Sequence, residues 1–241
     1  MSLLLVGDAR TMPLNSESID LILTSPPYNV GLRYDGYSDN LPHDEFVKFN
    51  HDWLADAYRV MRETGRMYVV LGDNMLWWFR ELAEIIGLTY VQKLVWCKPN
   101  FVGSAGRVTN DWNYMTEDIL LFRKGKRTPM LNGNTTTHNW MVETVPQSNF
   151  TEGRIHPAQF PVSLCLRILD RTPGNIVLDP FVGSGSVLVA AKRLARVGIG
   201  IDIVPDVIQR AKKRLDATMS PLLVINHEQA DMPLFAMEEQ A

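Results

Sequence analysis

The sequence predicts an α/β protein built on a doubly wound, mostly parallel sheet, and three observations carry that reading. Short apolar runs alternate with segments whose apolar residues recur at helical spacing. Ile176-Val177-Leu178-Asp179 runs through Pro180-Phe181-Val182-Gly183-Ser184-Gly185 into the amphipathic stretch Ser186 to Leu194, which reads as a buried strand, a glycine turn and a helix. A second strand, Val197 to Asp202, ends on a carboxylate about 20 residues after the glycines, as in nucleotide-type sites.

Taken in order, Leu3 to Val6 is the first strand, and Gly7-Asp8-Ala9-Arg10 follows it. Asp8 there either caps the turn or presents a carboxylate at the strand end. Ser16-Glu17-Ser18 is a turn, and Ile19 to Leu23 is a buried strand that delivers Thr24-Ser25-Pro26-Pro27-Tyr28 into a loop. Asn29 to Asp39, broken by glycine and rich in aromatics, is expected to be a mobile surface loop. From Pro42, the residues Phe46, Phe49, Trp53, Leu54, Ala57, Tyr58, Val60 and Met61 make one apolar helical face. Gly65 is expected to end that helix, before a strand from Arg66 to Gly72. Asn74 to Ile86 is a helix closed by Gly87, and Tyr90 to Trp96 and Met115 to Arg123 are strands. With no helix between them, those two strands are expected to pair antiparallel at one edge. Val162 to Arg171 and Pro205 to Ala217 are the remaining helices.

Composition bounds the function. A chain of 241 residues, 46% apolar, buries one sizeable core and is expected to be a single domain, 1–241, with insertions at 98–113 and 124–155. No apolar run is long enough to span a bilayer and the start lacks a signal pattern, so a soluble, cytoplasmic protein is expected. Cys97 and Cys165 make no disulfide framework, and the five histidines lack metal-ligand spacing, so no metal is expected. A formal net charge of −3 means that any nucleic-acid contact must come from a local patch. Lys98, Arg107, Lys124, Lys126 and Arg127, in the two insertions, are the candidates for phosphate contact, against the alternative of solvated turns.

The chemistry lies in two motifs. Two prolines in Thr24-Ser25-Pro26-Pro27-Tyr28 remove two N–H donors, so this loop accepts hydrogen bonds. A planar ring bearing an amino group would stack on Tyr28, with its amino hydrogens directed at Ser25 Oγ and the Pro26 carbonyl. In the second motif, Gly183 and Gly185 let the backbone approach a ligand and Asp202 takes ribose hydroxyls. The third glycine of the dinucleotide fingerprint is missing after Gly185, and no Lys-Ser/Thr follows as in a phosphate loop. A cofactor with ribose and adenine but no pyrophosphate fits, namely S-adenosyl-L-methionine.

The two motifs, in this order, resemble the S-adenosylmethionine-dependent DNA amino-methyltransferases of restriction–modification systems, in the permuted β-type group whose catalytic loop precedes the cofactor loop. The resemblance runs from about Val6 to Leu215. It implies a seven-stranded, Rossmann-like methyltransferase sheet, circularly permuted, with a small inserted recognition region. It implies Ser25, Pro26, Pro27 and Tyr28 as catalytic residues. The implied cofactor residues are Asp8 at the adenine amino group, His156 and Pro157 at the methionine end, Asp179, Phe181, Gly183, Ser184 and Gly185 in the turn, Asp202 with Ile203, and also Ala9 and Thr24. The family usually carries Lys where Phe160 stands. Double-stranded DNA is the implied partner, with a cognate restriction endonuclease and a homodimer also expected. Ser25 leans toward N4 of cytosine, with N6 of adenine as the alternative. Methylation at cytosine C5 is excluded, because neither cysteine sits in a Pro-Cys loop. RNA or glutamine methyltransferases place the related loop after the glycines, a nicotinamide oxidoreductase needs the third glycine, and a non-catalytic relative remains open.

Overall fold

The computed structural model describes residues 2–31, 33–34, 37–100, 115–131, 137–146 and 159–218. In chain order these form β1 (Ser2–Val6), β2 (Ile19–Thr24), the two-residue strands β3 (Arg33–Tyr34) and β4 (Tyr37–Ser38), α1 (His43–Val60), β5 (Met61–Leu71), α2 (Leu76–Ile86), β6 (Thr89–Cys97), β7 (Thr116–Arg123) and β8 (Trp140–Val142). Then come α3 (Val162–Arg171), β9 (Ile176–Asp179), α4 (Ser186–Arg193), β10 (Val197–Asp202) and α5 (Pro205–Ala217). Eight strands make one sheet in the order β1-β10-β9-β2-β5-β7-β6-β8, and β3 pairs with β4 alone. Every neighbouring pair in the large sheet is parallel except those of β7, which is antiparallel to both β5 and β6.

Alternation along each strand divides the core between the two faces. Leu21, Leu23 and Val177 pack with α3, α4 and α5, whereas Ile22, Leu178, Met67 and Val69 pack with α1 and α2. Central strands covered on both sides need apolar residues at every position, which is why β2 reads as a continuous run. The nucleotide-type unit is assembled out of chain order: β9, β10 and β1 lie side by side and parallel, Ser2 in register with Gly198 and Ile176 with Val197. The predicted doubly wound, permuted sheet is the one observed, with one further strand, β8, at its edge.

Two local expectations are corrected. Gly65 does not end a helix: α1 stops at Val60, and β5 starts at Met61 and runs through Gly65. Val60 and Met61 are both fully buried in the same cluster, and periodicity cannot separate a helix end from a strand start where both are apolar. The β6/β7 antiparallel pair forms, but β8 covers β6, so part of the expected recognition loop, Trp140–Val142, is an edge strand. The segment after Tyr28 is tied at both ends. Asp39, 2% exposed, accepts from Asn29 N at 2.8 Å and Val30 N at 3.1 Å, and the Asn29 side chain bonds both backbone groups of Leu41.

Candidate active site

The parallel strands all end at one edge of the sheet, and there the two motifs meet. Thr24 closes β2 and Asp179 closes β9, and Thr24 Oγ1 donates to Asp179 Oδ1 at 2.7 Å although the residues are 155 positions apart. Both are buried. Burial pushes the Asp179 carboxyl up to about 7, against the opposing pull of the Thr24 hydroxyl and the Phe181 N–H, with the nearby Asp202 charge adding to the rise.

Around Asp179 the glycine turn is held by the two carboxylates. Phe181 N–H donates to Asp179 Oδ1 at 3.2 Å, Gly183 N–H to Asp202 Oδ2 at 3.2 Å, and Val204 N–H to Asp202 Oδ1 at 3.0 Å. Burial also raises Asp202, while those backbone donors lower it. Gly185 adopts φ 78°, a left-handed conformation, at the entry to α4, and a Cβ there would stand 3.3 Å from Ala211 Cβ. Phe181 lies half-buried with its ring 5.3 Å from that of Trp53, so it walls the turn against α1. The Ser184 hydroxyl is engaged by Ser186 at 3.2 Å and by Arg214 Nη1 at 3.2 Å, inside the α4–α5 packing rather than at the edge.

On the far side of β10, Val6 is 55% and Ile203 52% exposed, apolar surface at strand ends where a flat ring would lie. Ala9 is buried. Asp8 accepts from Arg10 N at 2.9 Å and from the Arg10 guanidinium at 2.6 Å, which holds its carboxyl below the usual range. The capping role is therefore the one on view, and an adenine amino group would share this carboxylate with Arg10. His156, Pro157 and Arg107 lie outside the described residues.

The Ser-Pro-Pro-Tyr loop follows directly from Thr24, with Pro26 buried and Ser25, Pro27 and Tyr28 half-buried. Ser25 Oγ donates to Tyr28 Oη at 2.9 Å, Tyr28 Oη donates to Glu117 Oε2 at 3.3 Å, and Lys98 Nζ donates to Glu117 Oε1 at 2.8 Å. The Tyr28 ring leans on Gly72, where a Cβ would come 3.2 Å from Tyr28 Cδ2, and Asn74 Nδ2 donates to Tyr28 O at 3.2 Å. Glu117, Asn74 and Asp39 were not legible as site residues. The one signal was Asn29 directly after Tyr28, since asparagine tolerates the left-handed φ of 58° found there.

The basic patch is not borne by the lysines expected to carry it. Lys98 is 5% exposed and ion-paired with Glu117 at 2.8 Å, so it belongs to the loop network and not to a phosphate-facing surface. Lys124 is equally buried, donating to Tyr58 O and Met61 O at 3.0 and 2.9 Å, where it caps the end of α1. Lys126 and Arg127 are exposed but follow the carboxyl end of β7, which runs antiparallel to β5. Lys126 N–H bonds Glu63 O near the start of β5, roughly 20 Å of strand away from the edge that carries Tyr28.

Among the described residues no helix is long and apolar enough to cross a membrane, and no group of three or more His, Cys, Asp or Glu could hold a metal ion. The strand-end carboxylates Asp179 and Asp202, with the exposed apolar side chains of Val6 and Ile203 beside them, fit a nucleoside bearing a positively charged tail.

Comparison with known proteins agrees with that chemistry. The model of the N6/N4 DNA methylase family matches residues 19–213. Type II methyltransferase M.HpaI of Haemophilus parainfluenzae is 33% identical over 225 residues, covering 85% of this chain and 70% of that protein. The M1.HpyAVI–SAM complex superposes with a TM-score of 0.72 at 23% identity, over 90% of this chain and 100% of that one. PvuII DNA methyltransferase, cytosine-N4-specific, does so with a TM-score of 0.72 at 20% identity, over 91% and 88%. At those identities the two structures establish the fold.

Proposed function

This chain belongs to the N6/N4 DNA methylase family, and from that membership we propose that it methylates the exocyclic amino group of a base flipped out of double-stranded DNA, at N4 of cytosine, with S-adenosyl-L-methionine as donor. One observation carries the reading. The Thr24–Asp179 hydrogen bond of 2.7 Å sets the amine-accepting loop beside the glycine turn at a common sheet edge.

The donor supplies a methyl group already activated on a sulfonium. Asp202 would take its ribose hydroxyls, Val6 and Ile203 would lie against its adenine face, Asp8 would accept from the adenine amino group, and the Asp179 carboxylate would face its positive charge. Gly183 and Gly185 allow close backbone approach. On the other side, Ser25 Oγ and the Pro26 carbonyl accept the two amino hydrogens and draw the nitrogen lone pair out of conjugation, while the Tyr28 ring stacks on the flipped base. Alignment by these groups lowers the barrier; the nitrogen that gains the methyl gives up one of its two hydrogens as a proton to solvent, and no covalent enzyme intermediate is required. Ser25 in the place where the resembled enzymes tend to carry Ser for cytosine and Asp for adenine supports the choice of base.

Residues 1–241 are read as one catalytic domain. The insertion 98–113 leaves from the end of β6, and Glu143 N–H bonds Cys97 O, so the chain after β8 returns to this edge. Recognition of DNA is assigned to these two stretches in place of Lys124–Arg127. A cognate restriction endonuclease and self-association are the further partners proposed.

The test is to incubate DNA of varied sequence with the protein and labelled donor, digest to nucleosides and identify the product by mass. N4-methylcytosine is expected. N6-methyladenine alone would overturn the base assignment and leave the mechanism, whereas donor binding without any methylated nucleoside would point to a non-catalytic relative.

A further inference from the structure

We propose that Glu117 and Lys98 are positioning residues that fix the direction of the hydroxyl hydrogens in the Ser25–Tyr28 pair, so that Ser25 meets the incoming amine as an acceptor. This rests on the reading of Ser25 given above. The argument is one of hydrogen counting. An ionised carboxylate accepts only, and each hydroxyl owns a single hydrogen. Glu117 divides its two oxygens, Oε1 to Lys98 Nζ at 2.8 Å and Oε2 to Tyr28 Oη at 3.3 Å. Tyr28 must then spend its hydrogen on Glu117 and accept from Ser25 Oγ at 2.9 Å. The hydrogen of Ser25 is thereby turned inward, and its lone pairs are left for the substrate.

Lys98 makes the arrangement rigid. With its side chain 5% exposed and that of Glu117 22% exposed, the pair is nearly out of water, where each charge needs the other. The lysine holds Oε1 and so keeps the carboxylate from rotating a second acceptor toward Tyr28. A purely architectural role is the competing view, because Trp96 and Glu117 are register partners and the ion pair ties β6 to β7. The two views differ for Glu117→Gln. Facing an ammonium, the amide must offer its oxygen to Lys98 and its NH2 to Tyr28. That reverses the chain, so that Tyr28 donates to Ser25 and the Ser25 hydrogen points at the amine.

The experiment is single-turnover and steady-state methyl transfer on DNA by the full chain and its Ser25→Ala, Tyr28→Phe, Glu117→Gln and Tyr28→Phe/Glu117→Gln variants. Glu117→Gln is expected to lower the rate about 100-fold, the size of losing one oriented hydrogen bond at the reacting atom. KM for both substrates should stay near the wild-type values. Tyr28→Phe should lose a similar factor, and the double variant should lose no more than either single one, because both break the same chain. Wild-type rates in Glu117→Gln, or losses that multiply in the double variant, would overturn the proposal. If Glu117→Gln fails to fold, Tyr28→Phe decides alone: ring stacking survives that change and the hydroxyl chain does not, so an unimpaired rate refutes it. Ser25→Ala separates the two levels. Full activity there sinks the reading of Ser25 itself, while an inactive Ser25→Ala beside an active Glu117→Gln sinks only the inference about Glu117.

Discussion

Thr24→Val removes one hydroxyl from the contact that joins the two motifs and keeps the shape of the side chain. The lost bond is to a buried group, so a destabilisation of about 1 kcal/mol is expected while Asp179 is protonated. The pH dependence is the sharper part. The folded pKa of Asp179 is raised to about 7 from 3.8. The unfolded chain therefore ionises first, and stability falls as pH rises from about 4 to about 7 and levels off above that, a total on the order of 4 kcal/mol. The Thr24 hydroxyl lowers this pKa, so its removal raises it further. Between pH 4 and 7 the wild-type and variant curves should run parallel. Above pH 7 the wild type is level while the variant keeps falling, adding roughly 1.4 kcal/mol for each unit of further rise. Urea denaturation followed by fluorescence of the buried Trp53, at steps from pH 5 to 9, measures the difference and cancels other titrating groups. An offset that stays constant to pH 9, or no offset at all, would refute the claim that this hydroxyl and this carboxyl are coupled.

Affinity for S-adenosyl-L-methionine, by calorimetry, should rise as pH is raised through about 7, since a cationic ligand favours ionised Asp179; a flat profile would remove that residue from the site. Gly200→Ala should cost about 1–3 kcal/mol in chemical denaturation, because its Cβ would stand 2.6 Å from Val182 Cγ2 and 2.9 Å from side-chain atoms of Leu188 and Leu4. Replacing both Lys126 and Arg127 by Ala should leave DNA affinity and its salt dependence unchanged, and a salt slope reduced by about 2 would return the phosphate contacts to that turn.

Much of this was legible from the chain alone because the informative signals were local. The strand Ile176–Asp179, its glycine turn and the following helix are contiguous, and so is the strand that delivers Ser25. The order of β9, β10 and β1 followed from matching each segment to its place in a nucleotide-binding unit. What stayed hidden was set by partners far away in sequence. Lys98 and Lys124 look like any surface lysine until the fold brings Glu117 to one and the carbonyls of Tyr58 and Met61 to the other. Lys126 and Arg127 are exposed as expected, and the antiparallel pairing inferred from the missing helix already carries them to the end of the sheet opposite Tyr28, a consequence the local charge pattern does not reveal. Sequence periodicity carries no information on strand direction.

The pairing of Ser2 with Gly198 also constrains how the molecule is made. At about 5–20 residues per second, roughly 10–40 s of synthesis separate the emergence of β1 from that of the strand it must dock against. During that interval the nascent chain holds an orphaned apolar strand and no donor pocket. A sheet edge built from the two ends of a long sequence separation is thus completed only once β10 has been synthesised, a folding step delayed by topology.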